Sequence, residues 1–158
     1  MALKPLLVLA AGLLSASCVT TTPALGIRPV FPQYRPGETG GVRLTAPYGG
    51  ILAQRGPCLG LLNGDLFTTM IWPETARLSF DERGLLLQDM RSGAAVRLGD
   101  WVSITGGPLP PGTQHALGEP VLTEQFALEC ARRPDLNRDG WIGIVNPGFR
   151  KGRAPRSS

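Results

Sequence analysis

The sequence predicts a mainly β chain, an antiparallel barrel or sandwich of short strands. Three observations carry this. Gly and Pro number 21 and 15 of the 158 residues, and each weakens a helix wherever it falls in an interior. From Gly49 onward, apolar runs recur about every ten residues, the rhythm of short strands joined by turns. Clusters of turn residues separate the runs, among them Asn63-Gly64, Asp81-Glu82-Arg83-Gly84 and Arg91-Ser92-Gly93. Hydrophobic residues make up 42% of the chain, enough for the core of one domain of ordinary size.

Residues 1–18 read as a signal peptide. Lys4 supplies an early positive charge, and the apolar run from Leu6 to Leu14 is too short for a spanning helix, which needs about 20 apolar residues. Small residues then lead to Leu14-Ser15-Ala16-Ser17-Cys18. This resembles the lipobox of bacterial lipoproteins, with Ser15 where Leu, Val or Ile is usual. The resemblance implies lipid attachment at Cys18. Residues 19–47 follow as a tether, since Pro23, Pro29, Pro32 and Pro36 keep the chain extended. Val30, Phe31 and Tyr34 interrupt its polar character and are candidates to pack back onto the domain.

Residues 48–108 form the body of the predicted β domain. Asn-Gly between apolar runs is a strong hairpin signal, because both central residues of a type I′ turn need positive φ. In the following strand, alternation places Leu66, Thr68, Met70 and Trp72 on one face and Phe67, Thr69 and Ile71 on the other. Both faces are largely apolar, so this strand is expected to be central. Further on, Val96, Leu98 and one of Trp101 or Val102 mark an inward side, with a turn or bulge at Gly99-Asp100. Residues 109–148 continue the same domain as a Pro-rich loop, one short helix and a closing strand. The helix is read over residues 121–133. Thr123 stands at its N-cap, Val121, Leu122, Phe126 and Cys130 are near helical spacing, and Pro134 ends it. Residues 149–158 read as a basic disordered tail.

Several short motifs together resemble a recurring group of small bacterial lipoproteins. They are Cys58-Leu59, Ile71-Trp72-Pro73, Gly99-Asp100, Gly106-Gly107, Cys130 and Trp141-Ile142, spread over roughly residues 48–145. The resemblance implies a small antiparallel OB-like barrel of five to six short strands and an envelope location, but no activity. The chain departs from the group by the stretch ARRPDLNRDG between Cys130 and Trp141.

Cysteine arithmetic agrees with export. Of Cys18, Cys58 and Cys130, the last two remain once the leader cysteine is lipidated or removed, and exported chains commonly pair such residues. A buried free thiol at Cys58 is the alternative.

The chemistry-bearing residues are few. Asp135, Asn137 and Asp139 alternate ahead of Gly140 and Ile142, resembling the first half of EF-hand and dockerin calcium loops. Gly143 and Asn146 stand where the second half needs further oxygen ligands, and Pro134 and Pro147 flank the loop. Two readings follow: a weak calcium site completed by backbone carbonyls, or Asx-type turns at a helix exit. Calcium is therefore the only cofactor the sequence suggests. The lone histidine, His115, lies in a Pro/Gly loop, and no nucleophile elbow places a serine such as Ser103 for catalysis. Asp81-Glu82 sits in a predicted turn, where acids are expected anyway.

The net charge of +4 is local. Arg150, Lys151, Arg153 and Arg156 crowd the C-terminus, and with Lys4 also set aside the remainder holds one more acid than base. Nucleic acid is thus not an expected partner; the tail reads as solvated or as touching an anionic envelope surface. The sequence points to a membrane-anchored, non-enzymatic structural or binding module, with an envelope protein or polysaccharide as partner. Its alternatives are a calcium-dependent extracytoplasmic binding domain and, more weakly, a small hydrolase.

Overall fold

A computed structural model describes residues 27–35, 44–109, 129–130 and 141–154. These hold ten strands: β1 (Gln33–Tyr34), β2 (Pro47–Arg55), β3 (Cys58–Asn63), β4 (Leu66–Pro73), β5 (Ala76–Asp81), β6 (Gly84–Asp89), β7 (Ala95–Arg97), β8 (Trp101–Leu109), β9 (Ile142–Val145) and β10 (Arg150–Lys151). The expectation of a mainly β fold holds. The strand count does not: instead of five or six strands there are two sheets, one of seven strands and one of three. The helix expected over residues 121–133 lies outside the described residues except for Glu129 and Cys130.

The large sheet runs β1–β4–β3–β2–β8–β10. Neighbours β2, β3 and β4 are joined by two-residue turns. In the first, Gly56 takes φ +55° before Pro57. In the second, Gly64 takes φ +57° while Asp65 stays at negative φ. The predicted Asn63-Gly64 turn is therefore shifted by one residue. Asn63 pairs with Leu66, and the central residues are Gly64-Asp65, with Gly first as a type II′ hairpin requires. Asn63 stays in the strand and donates from Nδ2 to the Gly49 carbonyl at 3.0 Å. Strand β9 pairs parallel with β4 through Thr69–Ile142 and Ile71–Ile144. It also pairs antiparallel with β8 through Gly106–Val145 and Leu109–Ile142.

The small sheet, β5–β6–β7, separates from the large one for a visible reason. At the end of β4, the Trp72 N–H donates to the Pro32 carbonyl and the Glu74 N–H to the Tyr34 carbonyl, both at 2.9 Å. These donors face the edge of β4 that β3 occupies further back, while β9 takes the opposite edge through Thr69 and Ile71, the one on which β5 would otherwise continue the sheet. The chain turns away through Glu74-Thr75.

Strand alternation sends side chains into two apolar clusters. The first lies between the sheets. Leu52, Leu59, Leu61, Met70, Trp72, Val102 and Ile104 from the large sheet meet Ala76, Leu85, Leu87 and Val96 from the small one. The second covers the other face of the large sheet and gathers Cys58, Phe67, Ile71, Ile142 and Ile144 beneath Tyr34 and Cys130. Strand β4 feeds both clusters, and its residues from Phe67 to Pro73 are all buried, so the central placement read from its two apolar faces is observed. Leu98 departs from expectation. It sits at the Gly99-Asp100 turn, where Gly99 has φ +88°, and remains exposed. Val96 and Val102 take the inward positions instead.

Two boundary regions are more structured than their composition suggests. Val30 bridges to Cys58, and β1 pairs with β4, so part of the Pro-rich stretch is a layer of the domain. Phe149, assigned from sequence to the tail, is fully buried. Arg150 and Lys151 pair with Ser103 and Val102.

Candidate functional site

The residue chemistry concentrates in two places, the layer over the second cluster and the turns of the small sheet. In the first, Cys58 and Cys130 are paired, with Cα atoms 5.5 Å apart. Cys58 opens β3 directly after the Gly56-Pro57 turn, and Val30 N–H donates to the Pro57 carbonyl at 2.8 Å. Both cysteines are fully buried, so the bridge is enclosed by the layer it fastens. Tyr34 adds a second attachment. Its hydroxyl donates to the Val145 carbonyl at 2.9 Å, and burial pushes its pKa up to about 12. Asn146 Nδ2 donates to the Leu44 carbonyl. This face of the sheet is therefore covered by the chain's own segments. At its margin, the Arg55 guanidinium stacks over Phe67, 4.8 Å from the ring centroid.

In the second place, three aspartates each close a turn. Asp89 is 1% exposed and ends β6. Its Oδ1 accepts from the Arg91 N–H at 3.1 Å, and its Oδ2 lies 2.8 Å from Ser92 Oγ. Ser92 Oγ is also 2.7 Å from the Phe149 carbonyl, and its single proton serves one of the two. Burial pushes the Asp89 pKa up, but the Arg91, Ser92 and Gly148 hydrogen bonds outweigh it, so the group sits below the ordinary carboxylate value. Asp100 Oδ2 accepts from the Arg97 N–H at 2.9 Å, and Oδ1 lies 2.7 Å from Lys151 Nζ. Here too burial raises the pKa and the hydrogen bonds from Lys151 and Arg97 lower it further than that. Asp81 is held below its usual range chiefly by the Arg97 guanidinium, which donates to both carboxylate oxygens. It also accepts from the Arg83 N–H at 2.8 Å, closing the predicted acidic turn.

These carboxylates are engaged with backbone N–H groups and basic side chains rather than turned toward one another. Among the described residues there is no group of three His, Cys, Asp or Glu able to hold a metal. The calcium candidates Asp135, Asn137 and Asp139 lie outside the described residues, as do Cys18 and His115. Ser103 is exposed on β8, paired with Gly49 and Arg150. Among the described residues, the chemistry-bearing side chains singled out from sequence that the structure brings together are Cys58 and Cys130.

Sequence reasoning missed two features. One is the aromatic stack of Phe31, Trp72 and Phe149, whose members come from three distant segments. The other is buried Asp89, for which an acid just before an Arg-Ser-Gly turn was the available signal. No family model, curated protein or solved structure matches this chain.

Proposed function

We propose that this protein is an exported, lipid-anchored component of the cell envelope whose folded body is a non-enzymatic structural or binding module. The Cys58–Cys130 pair carries the reading, because disulfides form and persist in oxidising compartments. The leader and Cys18 supply the route and the anchor. The engagement of Asp81, Asp89 and Asp100 in turns and ion pairs supports a module without catalysis.

Its body is read as an OB-like barrel, with pairings that run β8–β2–β3–β4–β9 and return to β8. In barrels of that kind the outward face of the middle strands commonly serves as the binding surface. In this chain Val30, Tyr34 and Cys130 occupy that face. Partner binding is therefore assigned to other surfaces.

The reading is tested by expressing the full chain in a bacterium supplied with an alkyne-labelled fatty acid. Label and membrane fractionation are expected, with loss of both in Cys18→Ala. In the same cells, Cys58 and Cys130 should resist alkylation until reduced. A cytoplasmic, unlabelled chain with two free thiols would overturn the proposal.

A further inference from the structure

Strand β5 is an edge. Among the described residues its only ladder partner is β6, and its core-side alternation of Ala76, Leu78 and Phe80 ends on Phe80, which is 53% exposed. Leu78, two residues earlier, is only partly buried against the first cluster. Unpaired edges of this kind are templates for a further strand.

The β5–β6 ladder fixes which backbone groups are free. The Met90 N–H donates to the Thr75 carbonyl, and the Asp89 N–H turns the other way, to Ala94. By the alternation of an antiparallel ladder, Arg77, Ser79 and Asp81 direct their N–H and C=O groups toward β6, while Leu78 and Phe80 direct theirs to the open side. A strand added there in antiparallel sense must exchange hydrogen bonds with Leu78 and Phe80.

We propose that the occupant is β5 of a second copy of this chain, paired about a two-fold axis at Ser79. With Ser79 opposite Ser79 of the second copy, Leu78 faces Phe80 twice and Arg77 faces Asp81 twice. The Leu78–Phe80 pairs fall at the positions whose backbone groups are free. They also extend the apolar face of the small sheet across the junction, covering the exposed Phe80 ring. The Arg77–Asp81 pairs lie on the opposite, solvent face. Moving the register by two residues either way preserves the hydrogen bonding but sets Arg77 against Ser79 or Ser79 against Asp81, and both charge pairs are lost. Charge complementarity thus selects one register out of those the backbone allows. Asp81 keeps its bidentate contact with Arg97, since a carboxylate has lone pairs for a further donor. Five residues a side make a small interface, so the association is a weak one.

The test uses the full chain in cells, with cysteine placed on the axis. Ser79→Cys brings two thiols opposite each other at a position where the strands approach closely, and mild oxidation should give a dimer on non-reducing gels. The parent chain and Ser92→Cys, away from the axis, should not. Arg77→Glu in the Ser79→Cys background places like charges opposite each other twice and is expected to weaken the association about tenfold, seen as a matching fall in crosslinking rate. Phe80→Pro removes an N–H that faces the open edge and not β6, so it should abolish the crosslink while circular dichroism of the variant stays that of the parent. Absence of a Ser79→Cys dimer, or equal yields at Ser79→Cys and Ser92→Cys, would overturn the proposal. So would crosslinking unchanged by Arg77→Glu.

Discussion

Trp72 and Phe149 meet edge to face with ring centroids 5.8 Å apart, both fully buried. Phe31 stacks on Trp72 at 6.1 Å. One indole thus ties the Pro-rich N-terminal stretch, the central strand β4 and the C-terminal segment into a single core. Phe149 is followed at once by β10, where Lys151 pairs with Asp100.

The first prediction is that Phe149→Ala costs about 3–5 kcal/mol of unfolding free energy, the range for a truncated core aromatic. Urea unfolding of the variant would show it as a lowered midpoint with an unchanged slope. A loss below about 1 kcal/mol, typical of exposed positions, would mean the segment is the solvated tail its composition suggests.

Why the tail misled is physical. Phe149 is a single aromatic between Gly148 and a run of basic residues, with no neighbours to establish a period. By contrast β4 was legible residue by residue, because Phe67–Ile71 and Met70–Trp72 alternate and both faces are apolar. The strands of the small sheet were equally visible, but their separation from the large sheet was not. It depends on β9 taking the outer edge of β4, a pairing with a strand far along the chain that leaves no local pattern. The disulfide was legible by counting, whereas the Asp89 network was not, since its partner Phe149 contributes only a backbone carbonyl.

Replacing both Cys58 and Cys130 by Ala should lower stability by about 4 kcal/mol, the chain-entropy value for a loop of this length. Thermal unfolding of the oxidised parent, the reduced parent and the double variant would measure it. The last two should agree, because both lack the same constraint. If reduction left the midpoint where it was, the bridge would have no part in fastening the layer of Val30 and Tyr34.

Asp89 sets an acid limit on stability. Its folded-state pKa is depressed below the ordinary carboxylate value, so its stabilisation is fully present above the unfolded pKa of about 3.9 and is lost as pH falls through the lower folded value. Asp81 and Asp100 shift in the same direction and share the effect. Unfolding free energies of parent and Asp89→Asn, compared between about pH 6 and about pH 2, should therefore show a shallower acid loss in the variant. The variant should also be less stable near neutrality, because its amide turns a donor toward the Ser92 N–H that Oδ2 accepts and no longer brings a charge to the Arg91 hydrogen bond. Parallel curves for the two proteins would remove Asp89 from the explanation.

The Gly106-Gly107 pair gives the sharpest contrast between adjacent positions. Both have positive φ, +128° and +133°, so a side chain strains the backbone at either, by about 1–3 kcal/mol. They differ in their surroundings. A Cβ on Gly106 would run into the Ile144 carbonyl, whereas one on Gly107 would meet Tyr48 Cβ at 3.5 Å, an ordinary contact. Gly106 lies where β8 pairs with β9 through Val145, and backbone cannot give way there without opening that ladder. Gly106→Ala is therefore expected to be clearly more destabilising than Gly107→Ala, with amide exchange at Ile144 and Val145 accelerated only in the former. Equal losses at the two positions would mean that backbone strain alone requires both glycines, and that the close approach of β8 to β9 does not.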